Sequence, residues 1–188
     1  MNSTSTSIRD QTTHITEEPA AASEVLQLEK RIRMLLGFFA AALLVSGLTA
    51  LPLVWESALL ARYLGQDSFL EPMWPAMAAW ISYVHQGLAK TNQAYPFLFY
   101  GTDWLAFAHI MIAINFIGPL RDPVRNRWVV EFSMIACLLI IPTVLIFAPL
   151  RGIPVFWRVI DLSFGVFGLL PLWLARRDIL ALARLSGG

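Results

Sequence analysis

The sequence predicts an all-α integral membrane protein: four transmembrane helices in an antiparallel bundle, with an amphipathic interfacial helix between spans 1 and 2. Three observations lead there. The chain of 188 residues is 57% hydrophobic, with a mean hydropathy of +0.61, above the apolar share of an ordinary soluble domain. Apolar runs with few or no charges recur at residues 34–55, 104–120, 128–150 and 154–175, each near the length that crosses a hydrocarbon core. Basic residues gather in three clusters, Lys30, Arg31 and Arg33, then Arg121, Arg125 and Arg127, then Arg176, Arg177 and Arg184. Four crossings put all three clusters on one side.

Residues 1–28 are rich in Ser, Thr, Glu and Ala and contain no apolar core. They do not read as a signal peptide, and they bury too little surface to offset ordering entropy. The expectation is a disordered polar tail followed by one membrane domain, residues 29–188. Residues 24–33 begin a helix that runs into residues 34–55, which carry no charge over 22 residues. That is the clearest spanning signal in the chain. Pro52 falls near its far end, and Trp55 suits an interfacial anchor.

The outer connection, residues 56–103, is too long to be structureless. Residues 57–64 read as a short helix closed by Gly65, and Pro72 and Pro75 mark a turn and a helix start. Over residues 74–89 the apolar positions Trp74, Met77, Ala78, Ile81, Val84 and Leu88 recur at helical spacing, while Ser82, Gln86 and Lys90 lie elsewhere. One apolar stripe on a moderately polar helix suits the interface better than a crossing. The aromatic cluster at residues 95–104, around Gly101, suits the headgroup level.

The second span carries His109 and Asn115 and ends at Gly118 and Pro119. The basic loop of residues 121–127 is short enough to join only adjacent antiparallel helices. The third span has Glu131 one turn inside and Pro142 as a kink site. Residues 150–154 join spans three and four more tightly still, and Arg176, Arg177 and Arg184 close the chain in a short amphipathic tail. Only Arg62, Lys90 and Arg151 fall opposite the three basic clusters. Both termini are therefore expected in the cytoplasm, with the cell (inner) membrane as the location.

In the fourth span the uncharged stretch, residues 162–175, has 14 residues. It covers roughly 21 Å, against a core of roughly 30 Å. Borrowing upstream brings in Arg158 and Asp161, three apart on one face and able to pair. Each would cost about 2.5–3.5 kcal/mol at a helix centre, less near an end. Gly165 and Gly168 follow on nearly the same face and should admit a neighbouring helix. His109 lies six residues below Asp103, and Asp161 seven below Pro154, or roughly 9 and 10 Å. His109 and Asp161 are thus expected to meet, with Arg158 and Asp103 above them. Such a cluster, opening outward, would bind a small polar ligand or relay a proton, the carboxylate setting the imidazole tautomer. The same contacts would also serve simply to hold helices together. Asn115 and Glu131 are secondary polar positions. Asn115 suits a hydrogen bond across helices, and Glu131 is stabilised by its helix N-terminus and by Arg121, Arg125 and Arg127.

The chain contains no HExxH, GxSxG, Walker or dinucleotide pattern. A net charge of +1 and the lack of a basic–aromatic stripe argue against nucleic acid. Cys137 is the single cysteine and reads as a small packing residue with no internal disulfide. Zinc ligands are missing, and a haem held by His85 and His109 has no supporting motif. No cofactor, metal or catalytic residue is assigned. The leading reading is a non-enzymatic accessory subunit or small-ligand-binding component with an outward-facing polar cluster. The alternative is a small oligomeric transporter or proton-coupled carrier using His109 and Asp161; a membrane enzyme without a known motif comes third. The partners expected are the lipid bilayer and either further copies of the chain or a larger membrane complex.

Overall fold

The computed structural model describes the backbone of residues 4–185 and the side chains of residues 22–185. The described residues are all helical or in connections between helices: α1 (Thr4–Thr49), α2 (Leu53–Leu64), α3 (Pro75–Ala94), a 3-10 turn (Pro96–Phe99), α4 (Tyr100–Asn115), α5 (Ile117–Arg121), α6 (Arg127–Leu150) and α7 (Val155–Leu185). Four stretches are long and apolar enough to cross a membrane: Ala22–Thr49, Pro96–Arg121, Arg127–Leu150 and Val155–Leu185. Their number is the four expected. Large apolar side chains such as Phe38, Leu139 and Phe167 stand exposed on them, as helices surrounded by lipid require. The polar tail expected over residues 1–28 lies, through residue 21, outside the described side chains; residues 22–28 are helical within α1.

Helix ends depart from the hydropathy pattern where proline intervenes. The first span was expected to reach residue 55, but α1 ends at Thr49 and Trp55 belongs to α2. Pro52 has no N–H and disfavours the helical conformation of the residue before it. The chain therefore turns, with Ala50 N–H donating to Gly47 O at 3.2 Å. Pro119 acts likewise in the second span. Its ring crowds the carbonyl four residues back, that of Asn115, and α4 stops there before α5 resumes at Ile117. The end of the chain differs most. The expected tail is the continuation of α7, a single helix of 31 residues, roughly 46 Å long. The fourth span can complete its crossing from either end, so length alone no longer draws Arg158 and Asp161 into the membrane.

The chain divides into two compact units, Met1–Phe39 with Asn115–Gly188, and Ala40–Ile114. In the first, α6 and α7 form the most extensive helix pairing. Gly152, at φ +69°, ends α6 in a left-handed turn that favours glycine. Ile153 N–H donates to Ala148 O at 3.0 Å and Gly152 N–H to Pro149 O at 3.1 Å. These are the two reverse bonds of a Schellman cap. Gly165 and Gly168 admit a close neighbour, as expected, and that neighbour is α6. A Cβ on Gly165 would lie 2.9 Å from Cys137 O, and one on Gly168 would lie 2.9 Å from Cys137 Sγ and 3.3 Å from Phe39 Cε2 of α1. Ile32, Leu36, Phe116, Val130, Leu172 and Ile179 are fully buried here.

In the second unit α2 packs on α3. Gly65 follows α2 and Pro75 opens α3, as expected. Met77, Ala78 and Ile81 of the expected apolar stripe are its buried positions. The end of α1 rests on α4, where a Cβ on Gly47 would meet His109 Cβ at 2.9 Å and Ala106 O at 3.0 Å. Gly47→Ala is therefore expected to lower stability by about 1–3 kcal/mol, the usual cost of overpacking. Gly37→Ala, with nothing within 4 Å, should hold or slightly raise it, since alanine is the better helix former. Thermal melts in detergent compare the two.

Candidate functional site

The last three candidate spans contain four carboxylates: Asp103, Glu131, Asp161 and Asp178. Their partners separate them into two pairs. Glu131 Oε1 accepts from Arg176 Nε at 2.9 Å and lies 3.2 Å from Arg127 Nε. Of the three arginines expected around it, only Arg127, one turn away on α6, makes an ion pair with it; the closer partner comes from α7.

Asp178 is only 2% exposed. Its Oδ1 accepts from Arg177 Nε at 3.2 Å and Nη2 at 3.1 Å. Its Oδ2 lies 3.1 Å from Arg31 Nε without the alignment of a hydrogen bond, so that contact is electrostatic. Together these pairs tie α1, α6 and α7 at one end of the first unit. Sequence reasoning missed Asp178 by treating its surroundings as a tail. The signal was present: Leu172, Ala175, Asp178, Ile179 and Leu182 share one buried stripe at helical spacing.

Asp103 and Asp161 are different. Within its own unit neither has an ion-pair partner among the described residues. Asp161 is half-buried on α7 and Asp103 exposed on α4. Arg158, expected to pair with Asp161, instead donates from Nε to Ile153 O at 2.7 Å. Helical side chains lean toward the N-terminus, so the long arginine reaches back to the carbonyl of the preceding turn. Asp103 and His109 belong to the second unit, Arg158 and Asp161 to the first.

His109 Nδ1 lies 2.8 Å from Leu105 O. A carbonyl only accepts, so Nδ1 carries the proton and Nε2 of the neutral ring remains an acceptor. The tautomer expected from a carboxylate is thus already set by the backbone of α4. Asn115 ends α4 in an exposed position.

Asp103 shares a face with three rings. Tyr100 and Trp104 pack edge-on at 6.0 Å, and Trp104 and Phe107 at 5.6 Å. With Asp103 they line a groove of about 240 Å³.

A second polar pair was also missed. Ser57 Oγ lies 2.8 Å from Val54 O and 3.1 Å from His85 Nδ1. The hydroxyl has one proton, and the carbonyl can only accept it. The arrangement that satisfies both contacts has Ser57 donating to Val54 O and His85 N–H donating to Ser57. In that geometry the imidazole does not act as base to the serine. Ser57 is 6% exposed and links α2 to α3. A separation of 28 positions along the chain hides it from local pattern reading. Among the described residues no group of three or more His, Cys, Asp or Glu is placed to hold a metal.

An all-helical chain with four helices long and apolar enough to cross a bilayer falls in the class of integral membrane proteins. Comparison with family models, curated proteins and solved structures finds no match to this chain.

Proposed function

We propose that this chain is a non-enzymatic membrane component, an accessory subunit or small-ligand-binding protein of the cell membrane. In this reading its four spans form an antiparallel bundle with both termini cytoplasmic. The α2–α3 segment caps the outer side at the interface, and Asp103, His109, Arg158 and Asp161 form the outward-facing receptor cluster. The orientation rests on the three basic clusters.

The observation that carries the proposal is the division among the span carboxylates. Glu131 and Asp178 are neutralised by arginine and hold helices together. Asp103 and Asp161 have no such partner within their units. Where such a carboxylate lies within the membrane it is costly without a counter-charge, and by default marks a site where a ligand or ion supplies the charge.

His109 favours a second reading. Its Nε2 is left as an acceptor, and an imidazole with a carboxylate of this kind suits a small oligomeric proton-coupled carrier using His109 and Asp161.

Asp161→Asn tests both. Melts of the purified protein against a panel of small amines, amino acids and carboxylates should reveal a stabilising ligand. At 100 times its Kd such a ligand adds about 2.7 kcal/mol, and Asp161→Asn should lose that shift while keeping the fold. Proton-coupled uptake into vesicles that Asp161→Asn abolishes would favour the carrier. A ligand shift and an uptake both untouched by Asp161→Asn would reject the cluster.

A further inference from the structure

We propose that the face of α4 made by Tyr100, Asp103, Trp104 and Phe107 seats the ammonium headgroup of a zwitterionic phospholipid. The inference rests on reading Asp103 as an unpaired receptor group. Asp103 sits in the first turn of α4, inside the candidate span Pro96–Arg121. It is exposed, with no cation partner in its own unit. A carboxylate on the surface of a spanning helix must be neutralised, hydrated or carried to the interface. The rings beside it place this turn at the interface, where Trp and Tyr concentrate.

The rings also select what neutralises the charge. Aromatic faces attract a cation that sheds its water, and alkylammonium groups are the usual guests of aromatic cages. Tyr100, Trp104 and Phe107 stand more than half exposed, and the edge-on contacts of Trp104 with both other rings hold them in register along one face. The groove of about 240 Å³ is smaller than the roughly 300–1,000 Å³ of sites for drug-sized ligands. It has room for a small headgroup. A free cation would bind so open a site weakly. A lipid is held beside it by its own tails, which raises the effective concentration.

The positive end of α4 also favours a carboxylate at this position. That role alone would not depend on the neighbouring rings. Trp104→Leu separates the two explanations.

The full chain is reconstituted in bilayers of equal parts phosphatidylethanolamine, phosphatidylcholine and phosphatidylglycerol, extracted gently, and its retained lipids are counted by native mass spectrometry. Amine-bearing lipids should be retained in preference to phosphatidylglycerol. Asp103→Asn and Trp104→Leu should each cut that preference about two- to fivefold, the size of one exposed ion pair or one cation–π contact. Glu56→Gln, on α2 and outside the receptor cluster, should leave it unchanged. Equal retention of all three lipids by the native protein would overturn the proposal. So would a preference that survives Asp103→Asn, or one lost equally in Glu56→Gln. Asp103 is exposed, so its amide variant should fold and decides the outcome even if Trp104→Leu does not. A ligand screen that finds no small molecule would sink the receptor cluster and leave this lipid result standing.

Discussion

Replacing Arg31 and Arg177 together with methionine is expected to destabilise the chain by about 3–5 kcal/mol, the usual cost of stranding a buried charge. Asp178 is 2% exposed, and these two guanidinium groups are its ion-pair partners among the described residues. Either arginine alone still leaves one cation at 3.1 Å, so each single variant should cost clearly less. The loss is large beside a typical total stability of about 5–15 kcal/mol. Adding Asp178→Leu to the double variant should restore most of it. The carboxylate occupies a stripe whose other members, Leu172, Ala175, Ile179 and Leu182, are buried and apolar, and well-packed apolar replacements of buried ion pairs are often neutral or better. Denaturant titration in detergent, following helix content, reads the series. A double variant within about 1 kcal/mol of the native chain would show that Asp178 survives by taking up a proton or water, and the ion pairs would lose their structural role. The Glu131 pairs make a useful contrast. Their side chains are 28–45% exposed, and partly exposed pairs of this kind contribute about 0–1 kcal/mol.

The spans were legible because hydropathy and length belong to a segment taken alone. Gly65 and Pro75 marked helix ends for the same local reason. Pro52 and Pro119 were misjudged because the apolar pattern runs straight through them. Hydropathy does not register a missing N–H or a ring pressed on the carbonyl four residues back. Partner identity was less accessible. Glu131 meets Arg176 across 45 residues, and Asp178 meets Arg31 from the other end of the chain. Nothing in local spacing says which helix faces meet. Arg158 and Asp161 show the converse limit. Their spacing permits a pair, yet the lean of helical side chains gives the arginine a backbone carbonyl instead. The carboxylates most informative about function were visible as residues, but their condition as paired or unpaired was not.

Gly165→Leu is expected to have the second large effect, because the obstacle to its side chain is backbone. Lipid is as apolar as leucine, so helices in a membrane hold together by close packing rather than by expelling water. Here that packing depends on two glycines of α7 lying against α6. At Gly165 even a Cβ would come within 2.9 Å of Cys137 O, and no rotamer change can move a helix carbonyl aside. Gly165→Ala should cost about 1–3 kcal/mol, and Gly165→Leu more, since α6 and α7 must then part along their contact. Gly168 differs in a way that can be measured. The nearest atom to its Cβ would be Cys137 Sγ, also at 2.9 Å, and that atom can be removed. Gly168→Ala should therefore be largely rescued by Cys137→Ala, with a favourable coupling in the double-mutant cycle. Gly165→Ala should gain nothing from the same change. If Cys137→Ala rescued both alanine variants, or neither, close backbone approach would not be what holds this pair of helices. Asp161 lies one turn before Gly165 on the same helix. Parting the helices should then also displace the unpaired carboxylate, and any ligand shift that depends on Asp161 should fall in Gly165→Ala before the protein unfolds.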